Sequence, residues 1–309
     1  MLRLTNYITE KLWEEIITAT FSLIDDECME IGDKYFPNRK FAPKRGKFFH
    51  DSEVITIALF GEMVFDGDED KTLHFIRQYH PDMFPLLLDN GRFNRRRRAL
   101  SQQMEDIRCR LRDKWYALNP LDEEEESLRL VDSAPIPICT YTRGKRCQSI
   151  PLDERDNWFG VCSSKKSKFF GPRCHVTVTL DQMIDTWLLA PGSFDDRAPL
   201  PALLEDRQGI RVIGDKGYIS AELEEQLWDT GEHLLLALKK KNQKVQWPDG
   251  IQKILGRLRH GVETAFSVLT TVFSFESPAS RSYSGMISRV TTKVLAYTVS
   301  FLLTDLFAV

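Results

Sequence analysis

Three acidic residues stand where a carboxylate packs poorly and could do chemistry. Asp215 closes the apolar run Ile210-Arg211-Val212-Ile213, with Gly214 before it and Lys216-Gly217-Tyr218 after it. Glycines on both sides are expected to let the backbone bend sharply there. Asp132 closes a second apolar run, Leu128-Arg129-Leu130-Val131. Glu263 lies on the margin of a helical stripe formed by Leu255, Leu258, Val262, Ala265, Phe266, Leu269 and Val272. Arg259, four residues earlier, projects from the same flank. Converging carboxylates repel one another unless divalent cations neutralise them, and Mg²⁺ favours such an all-oxygen, partly hydrated setting. Two ions would clamp a phosphodiester, one activating the attacking oxygen and the other stabilising the leaving oxygen. The expectation is a catalytic and metal-binding trio, Asp132, Asp215 and Glu263. Asp132 would bridge two Mg²⁺ ions, and Mn²⁺ would substitute.

The elements that must position these acids follow from periodicity. Up to the acidic run Asp122-Glu123-Glu124-Glu125-Glu126, apolar residues recur at helical spacing. Helices are expected over about 9–31, from Asp51, over 71–79 ending before Pro81, and over 92–115. A Pro- and Lys-rich connector, 36–46, separates the first two. From 128 the pattern changes to strands: 128–132, 174–180 and 186–190. A helix near 199–207 follows, then the strand ending at Asp215, a helix begun by Ser220 as cap, the strand 234–238 and a long helix over about 252–275. A last amphipathic helix, with Ile287, Val290, Val294, Tyr297 and Phe301, is expected on the same core. Three strands followed by α-β-α-β-α give an α/β fold of RNase H-like type, a mixed sheet flanked by helices and preceded by an all-α region. The expected domains are a helical DNA-binding region, 1–126, and a catalytic domain, 127–309.

Composition is that of a globular chain, 42% hydrophobic and 28% charged with a net charge of -3, so any nucleic acid must be held by local basic clusters. Six cysteines include no CxxC pair, which argues against a zinc finger and for reduced thiols. The N-terminus carries no signal-peptide pattern. The apolar segment 294–309 is interrupted by Asp305 and is shorter than the ~20 residues a membrane span needs. A cytoplasmic protein without a membrane partner is expected.

Arg95, Arg96, Arg97 and Arg98 form the strongest basic run, with Arg108, Arg110 and Arg112 beyond it. Contacts to DNA phosphates are expected there, although four consecutive arginines must spread around a helix. Lys239, Lys240 and Lys241 leave a strand on the presumed active-site side, Lys165 and Lys166 follow Asp132 in a loop, and Lys216 and Arg259 flank the acids. All are expected near DNA. Asp195-Asp196 could add a ligand, though capping before Arg197 is the simpler reading. His175 reads as a hydrogen-bonded core histidine, and Trp158 as the one tryptophan placed to stack on a base.

The chain resembles the DDE transposases of bacterial insertion sequences, most closely the branch conventionally numbered 982. The matching stretches are 131–139, 159–166, 214–218, Arg259 to Glu263 with Phe266-Ser267-Val268-Leu269, 293–297, and Asp51-Ser52-Glu53-Val54-Ile55-Thr56 in the helical part. They cover most of the chain in the family's order. The resemblance implies that Asp132, Asp215 and Glu263 take the catalytic acid positions. It also implies that double-stranded DNA (element terminal repeats and target) is the partner, and that a homodimer or larger assembly acts on it. Of the related signature Tyr-x2-Arg-x3-Glu-x6-Lys only Arg259 and Glu263 match; Gly256 and Thr270 stand at the other two positions. Two other functions fit the same residues: an RNase H-like nuclease without strand transfer, and a DNA-binding descendant without catalysis.

Overall fold

The structure is a computed structural model that describes residues 10–32, 48–162, 166–278, 280 and 282–307. Contacts divide the chain into two compact units, Met1–Leu118 with Thr271–Val309, and Asn119–Thr270.

The first unit is helical: α1 (Glu10–Glu30), α2 (Asp51–Phe65), α3 (Glu69–Tyr79), α4 (Asn90–Ala99) and α5 (Ser101–Leu118). Asp68 and Asp89 cap α3 and α4, accepting from the amides of Lys71 and Arg92. The single helix expected over 92–115 is two, divided at Leu100, the C-cap of α4. The connector 36–46 lies outside the described residues.

The second unit holds the sheet. After a one-turn helix, α6 (Glu123–Glu126), come β1 (Leu128–Pro135), the hairpin β2 (Phe159–Cys162) and β3 (Ser167–Phe170), β4 (Pro172–Val178) and β5 (Ile184–Pro191). Then follow a short α7 (Leu200–Leu203), β6 (Arg211–Gly214), α8 (Ala221–Gly231), β7 (Leu234–Ala237) and α9 (Asp249–Phe273). The five-stranded sheet has the order β5-β4-β1-β6-β7. β1, β4 and β5 are antiparallel neighbours, while β1, β6 and β7 run parallel. Parallel neighbours need crossovers, and α8 supplies the one between β6 and β7. The β2–β3 hairpin lay in a stretch read as loop. Its signal is there in the apolar residues of Phe159-Gly160-Val161-Cys162 and of Phe169-Phe170 on either side of a polar stretch of sequence.

Side chains alternate across the pleat. Val131 and Val212 face one side, packing with Leu200, Leu203, Leu204, Tyr218, Leu223 and Leu227 from the α7 and α8 layer. Leu130 faces the other side and meets α9 at Gly261, where an added Cβ would come within 2.8 Å of its Cδ1. The residues of α9 most deeply buried, Leu255, Val262, Ala265, Leu269 and Phe273, follow the stripe read from the sequence.

The last helix, α10 (Tyr283–Leu306), departs from expectation. It packs on α2 and α5 in the helical unit, so residues 271–309 belong there and not to a catalytic domain reaching the end of the chain. Its polar groups explain the choice. Lys293, 1% exposed, places Nζ 2.5 Å from Glu62 of α2 and donates to the Phe273 carbonyl at 2.6 Å. At 24 residues α10 is long and apolar enough to cross a membrane by length and composition, unlike the shorter segment measured from the sequence, but 83% of its apolar window is buried inside the helical unit.

Candidate active site

Asp132 sits in β1 and Asp215 directly after β6, on neighbouring parallel strands. β1 and β6 stay in register only as far as Leu130 and Ile213. Beyond that pair the strands part, and both acids stand at the opening. Asp215 Oδ1 accepts from the Gly217 amide at 2.7 Å, which turns the chain into a single 3₁₀ turn. A Cβ on Gly217 would lie 2.8 Å from that oxygen, and one on Gly214 would meet the Tyr218 ring at 2.9 Å. These glycines make room rather than bend: the positive-φ glycines among the described residues are Gly67, Gly171 and Gly209.

The carboxylate of Asp132 turns back on its own strand, where Oδ1 accepts from the Ser133 amide at 2.8 Å. Its acid is pushed up to about 6, first by burial and then by the negative charges of Asp215 and Asp196, against the Ser133 amide and Arg259, which pull it down. Glu263, on α9, is held differently. Arg259 Nη1 donates to its Oε1 at 2.6 Å while Nη2 of the same guanidinium donates to Asp132 Oδ2 at 3.1 Å. His260 Nδ1 lies 2.8 Å from Glu263 Oε2. Those contacts, that with His260 foremost, hold the Glu263 carboxyl below its ordinary range.

Asp132 and Glu263 are thus spanned by one cation, Arg259, and Asp132 and Asp215 by mutual repulsion at a strand opening. The donor set fits Mg²⁺: oxygen ligands only, with negative charge in excess around a part-buried carboxylate. Among the described residues no three ligating side chains already converge on a common point. Between Asp132 and Glu263 the positive charge is supplied by the Arg259 guanidinium.

The basic residues divide. Arg97 is 2% exposed and pairs with Glu69 at 2.5 Å, so it is not available to phosphates. Arg96 is tied to Asp51 and the Phe49 carbonyl, and Arg98 donates to Ser282 and Ser284. Of the expected run only Arg95 is exposed. Arg108 and Arg110 pair with Glu105 and Glu27. The physical reason is helix geometry: consecutive residues point in different directions, and most of these directions lead into the helical unit. Lys166 and Lys216 are exposed, as are Lys240 and Lys241; Lys165 lies outside the described residues. Lys239 rests its ammonium 5.2 Å from the Trp247 ring centre, a cation–π contact. Trp158 is buried and is no stacking platform.

The pair Asp195-Asp196, read from the sequence as a possible ligand and more simply as a cap, divides in the structure. Asp195 turns away and pairs with Arg197, whereas Asp196 Oδ1 accepts from Ser133 Oγ at 2.7 Å. Arg173 Nε and His175 Nδ1 approach the same oxygen at 3.6 and 3.9 Å. His175 is fully buried with both ring nitrogens lacking a hydrogen-bond partner, so it is not the hydrogen-bonded core histidine expected. Burial takes it down to about 4.

The mixed sheet thus brings Asp132 and Asp215 to the ends of neighbouring parallel strands, beside a helix carrying Arg259 and Glu263. The chain belongs to the DDE transposases: the family model described as a transposase DDE domain matches residues 122–283, more than half of its length. It is therefore a DNA-cleaving and DNA-joining enzyme of DNA recombination. No curated protein and no solved structure matches the chain.

Proposed function

We propose that this transposase cuts the ends of an insertion sequence and joins them to target DNA, with Asp132, Asp215 and Glu263 holding two divalent ions. The observation that carries the reading is the placement of Asp132 and Asp215 at the parting of two parallel strands, with Arg259 linking Asp132 to Glu263 on α9. The strand order, antiparallel through β1, β4 and β5 and parallel through β6 and β7, supports an RNase H-like fold.

Bound divalent ions would supply Lewis-acid stabilisation to the attacked phosphate. The chain's own contribution is to place and release charge. Asp132 must be unprotonated to hold a cation, and its part-buried setting beside Asp215 and Asp196 resists this. Arg259 must give up both carboxylates, which frees its guanidinium for a DNA phosphate. Water oxygen then attacks phosphorus, the P–O3′ bond breaks, and the freed 3′-hydroxyl attacks a target phosphate, expelling a 3′-oxygen in turn. A dimer or larger assembly on the DNA, and membership of the branch numbered 982, follow from the same reading.

The test is strand transfer. A labelled duplex bearing the element's own end, incubated with Mg²⁺ and a supercoiled plasmid, should give covalent end–plasmid products. Cleavage without joined product favours the nuclease reading; end binding without cleavage favours the non-catalytic one.

A further inference from the structure

We infer that Asp196 is a fourth carboxylate of the cation site, reaching it over the open edge of β1 beside Ser133. The inference rests on the proposed role of Asp132 and Asp215 as metal ligands.

One residue ties the two acids together. The Ser133 amide donates to Asp132 at 2.8 Å and its hydroxyl donates to Asp196 at 2.7 Å. The pleat alone would send Asp132 and Ser133 to opposite faces. Pairing with β6 ends at Leu130, and two residues on the Asp132 carboxylate accepts from the amide of its own neighbour, Ser133. Two buried polar side chains mark the same place. Tyr218 is 1% exposed and its hydroxyl has no hydrogen-bond partner, while the charges of Asp132, Asp196 and Asp215 all bear on it. His175, fully buried, directs Nδ1 at Asp196 from 3.9 Å. A buried hydroxyl or imidazole without a partner costs free energy, and such groups are retained where a ligand or its water completes them.

Asp196 is also the acid free to serve. Oδ1 takes all the contacts just described, leaving Oδ2 without a partner among the described residues on a side chain that is 38% exposed. Glu263, by contrast, has both oxygens engaged, Oε1 by Arg259 and Oε2 by His260. A cation on Oδ2 would break none of the contacts that Asp196 makes through Oδ1.

The experiment is calorimetric titration of the full chain with Mn²⁺, without DNA, using Asp196→Asn, Asp196→Ala, Asp132→Asn and Asp215→Asn, with melting midpoints measured alongside. An Asn side chain still accepts from Ser133, so Asp196→Asn removes the charge and keeps the anchor. The inference predicts that Asp196→Asn weakens Mn²⁺ binding about tenfold or more, with an unchanged melting midpoint. Wild-type affinity in Asp196→Asn, with loss only in Asp196→Ala, would reduce Asp196 to an anchor for Ser133 and overturn the inference. Wild-type affinity in both Asp196 variants, while Asp132→Asn and Asp215→Asn lose binding, overturns it too and leaves the proposed trio standing. Unaltered binding in Asp132→Asn and Asp215→Asn would bring down the trio itself.

Discussion

At the scale of single residues, the site is a set of charges placed where they destabilise one another. Asp132 titrates at about 6 in the fold against an ordinary 3.8, so the folded chain holds an extra proton between those values. Its contribution to stability is therefore largest below pH 4 and is lost as pH rises through about 6. His175 works in the opposite sense. It titrates at about 4 against an ordinary 6.5, so its contribution is present above 6.5 and is lost as pH falls toward 4. The two slopes offset each other in the wild type. Asp132→Asn removes one of them, and the metal-free variant should melt higher at pH 7, by about 1 kcal/mol in stability. Below pH 6.5 its melting point should fall more steeply than that of the wild type, and melting curves from pH 4 to 8 check both. Arg259→Gln removes the cation spanning Asp132 and Glu263. Metal binding should tighten by about twofold to fivefold, the worth of a partly exposed ion pair, while DNA cleavage is lost; titration and a cleavage assay read the two effects separately.

At the scale of elements, what a helix turns inward decides what its charges do. The run Arg95 to Arg98 reads as a basic patch in one dimension, and in three it is mostly internal wiring. Arg97→Ala removes the buried partner of Glu69, which keeps Asn94 and Arg289, and should cost about 2 kcal/mol, seen as a lowered denaturation midpoint. Arg95→Ala should leave the midpoint unchanged and weaken DNA binding with a shallower salt dependence. The elements that carry the acids were legible because their signals are local: β-branched and apolar runs ending in Asp132 and Asp215, and a stripe of period 3.6 placing Arg259 and Glu263 together. What was not legible depends on partners far along the chain. Nothing near Lys293 reveals that its ammonium meets Glu62, and so nothing local says that α10 joins the helical unit rather than the sheet. Which acid of the pair Asp195-Asp196 turns toward the sheet was hidden for the same reason. The two look alike in sequence, and only the β1 edge distinguishes them.

At the scale of the whole molecule, a net charge of -3 leaves DNA binding to separate surfaces rather than to an overall field. The exposed Lys166, Lys216, Lys240 and Lys241 of the sheet unit and the exposed Arg95 of the helical unit are among the groups open to that task. The chain leaves the helical unit at Leu118 and returns to it at Thr271, so the two ends of the catalytic unit are both fastened to helices. α9 itself carries Glu263 in one unit and ends at Phe273 in the other, whose carbonyl receives Lys293. The central claim about this molecule is that acids at the strand opening cut DNA with divalent metal. Its most direct test is Mg²⁺-dependent cleavage of a labelled element-end duplex by the wild type and by Asp215→Asn, a variant that retains the oxygen accepting from Gly217. The account predicts cleavage by the wild type that chelation abolishes, and no cleavage by the variant despite equal end binding. Equal cleavage by both proteins would contradict it.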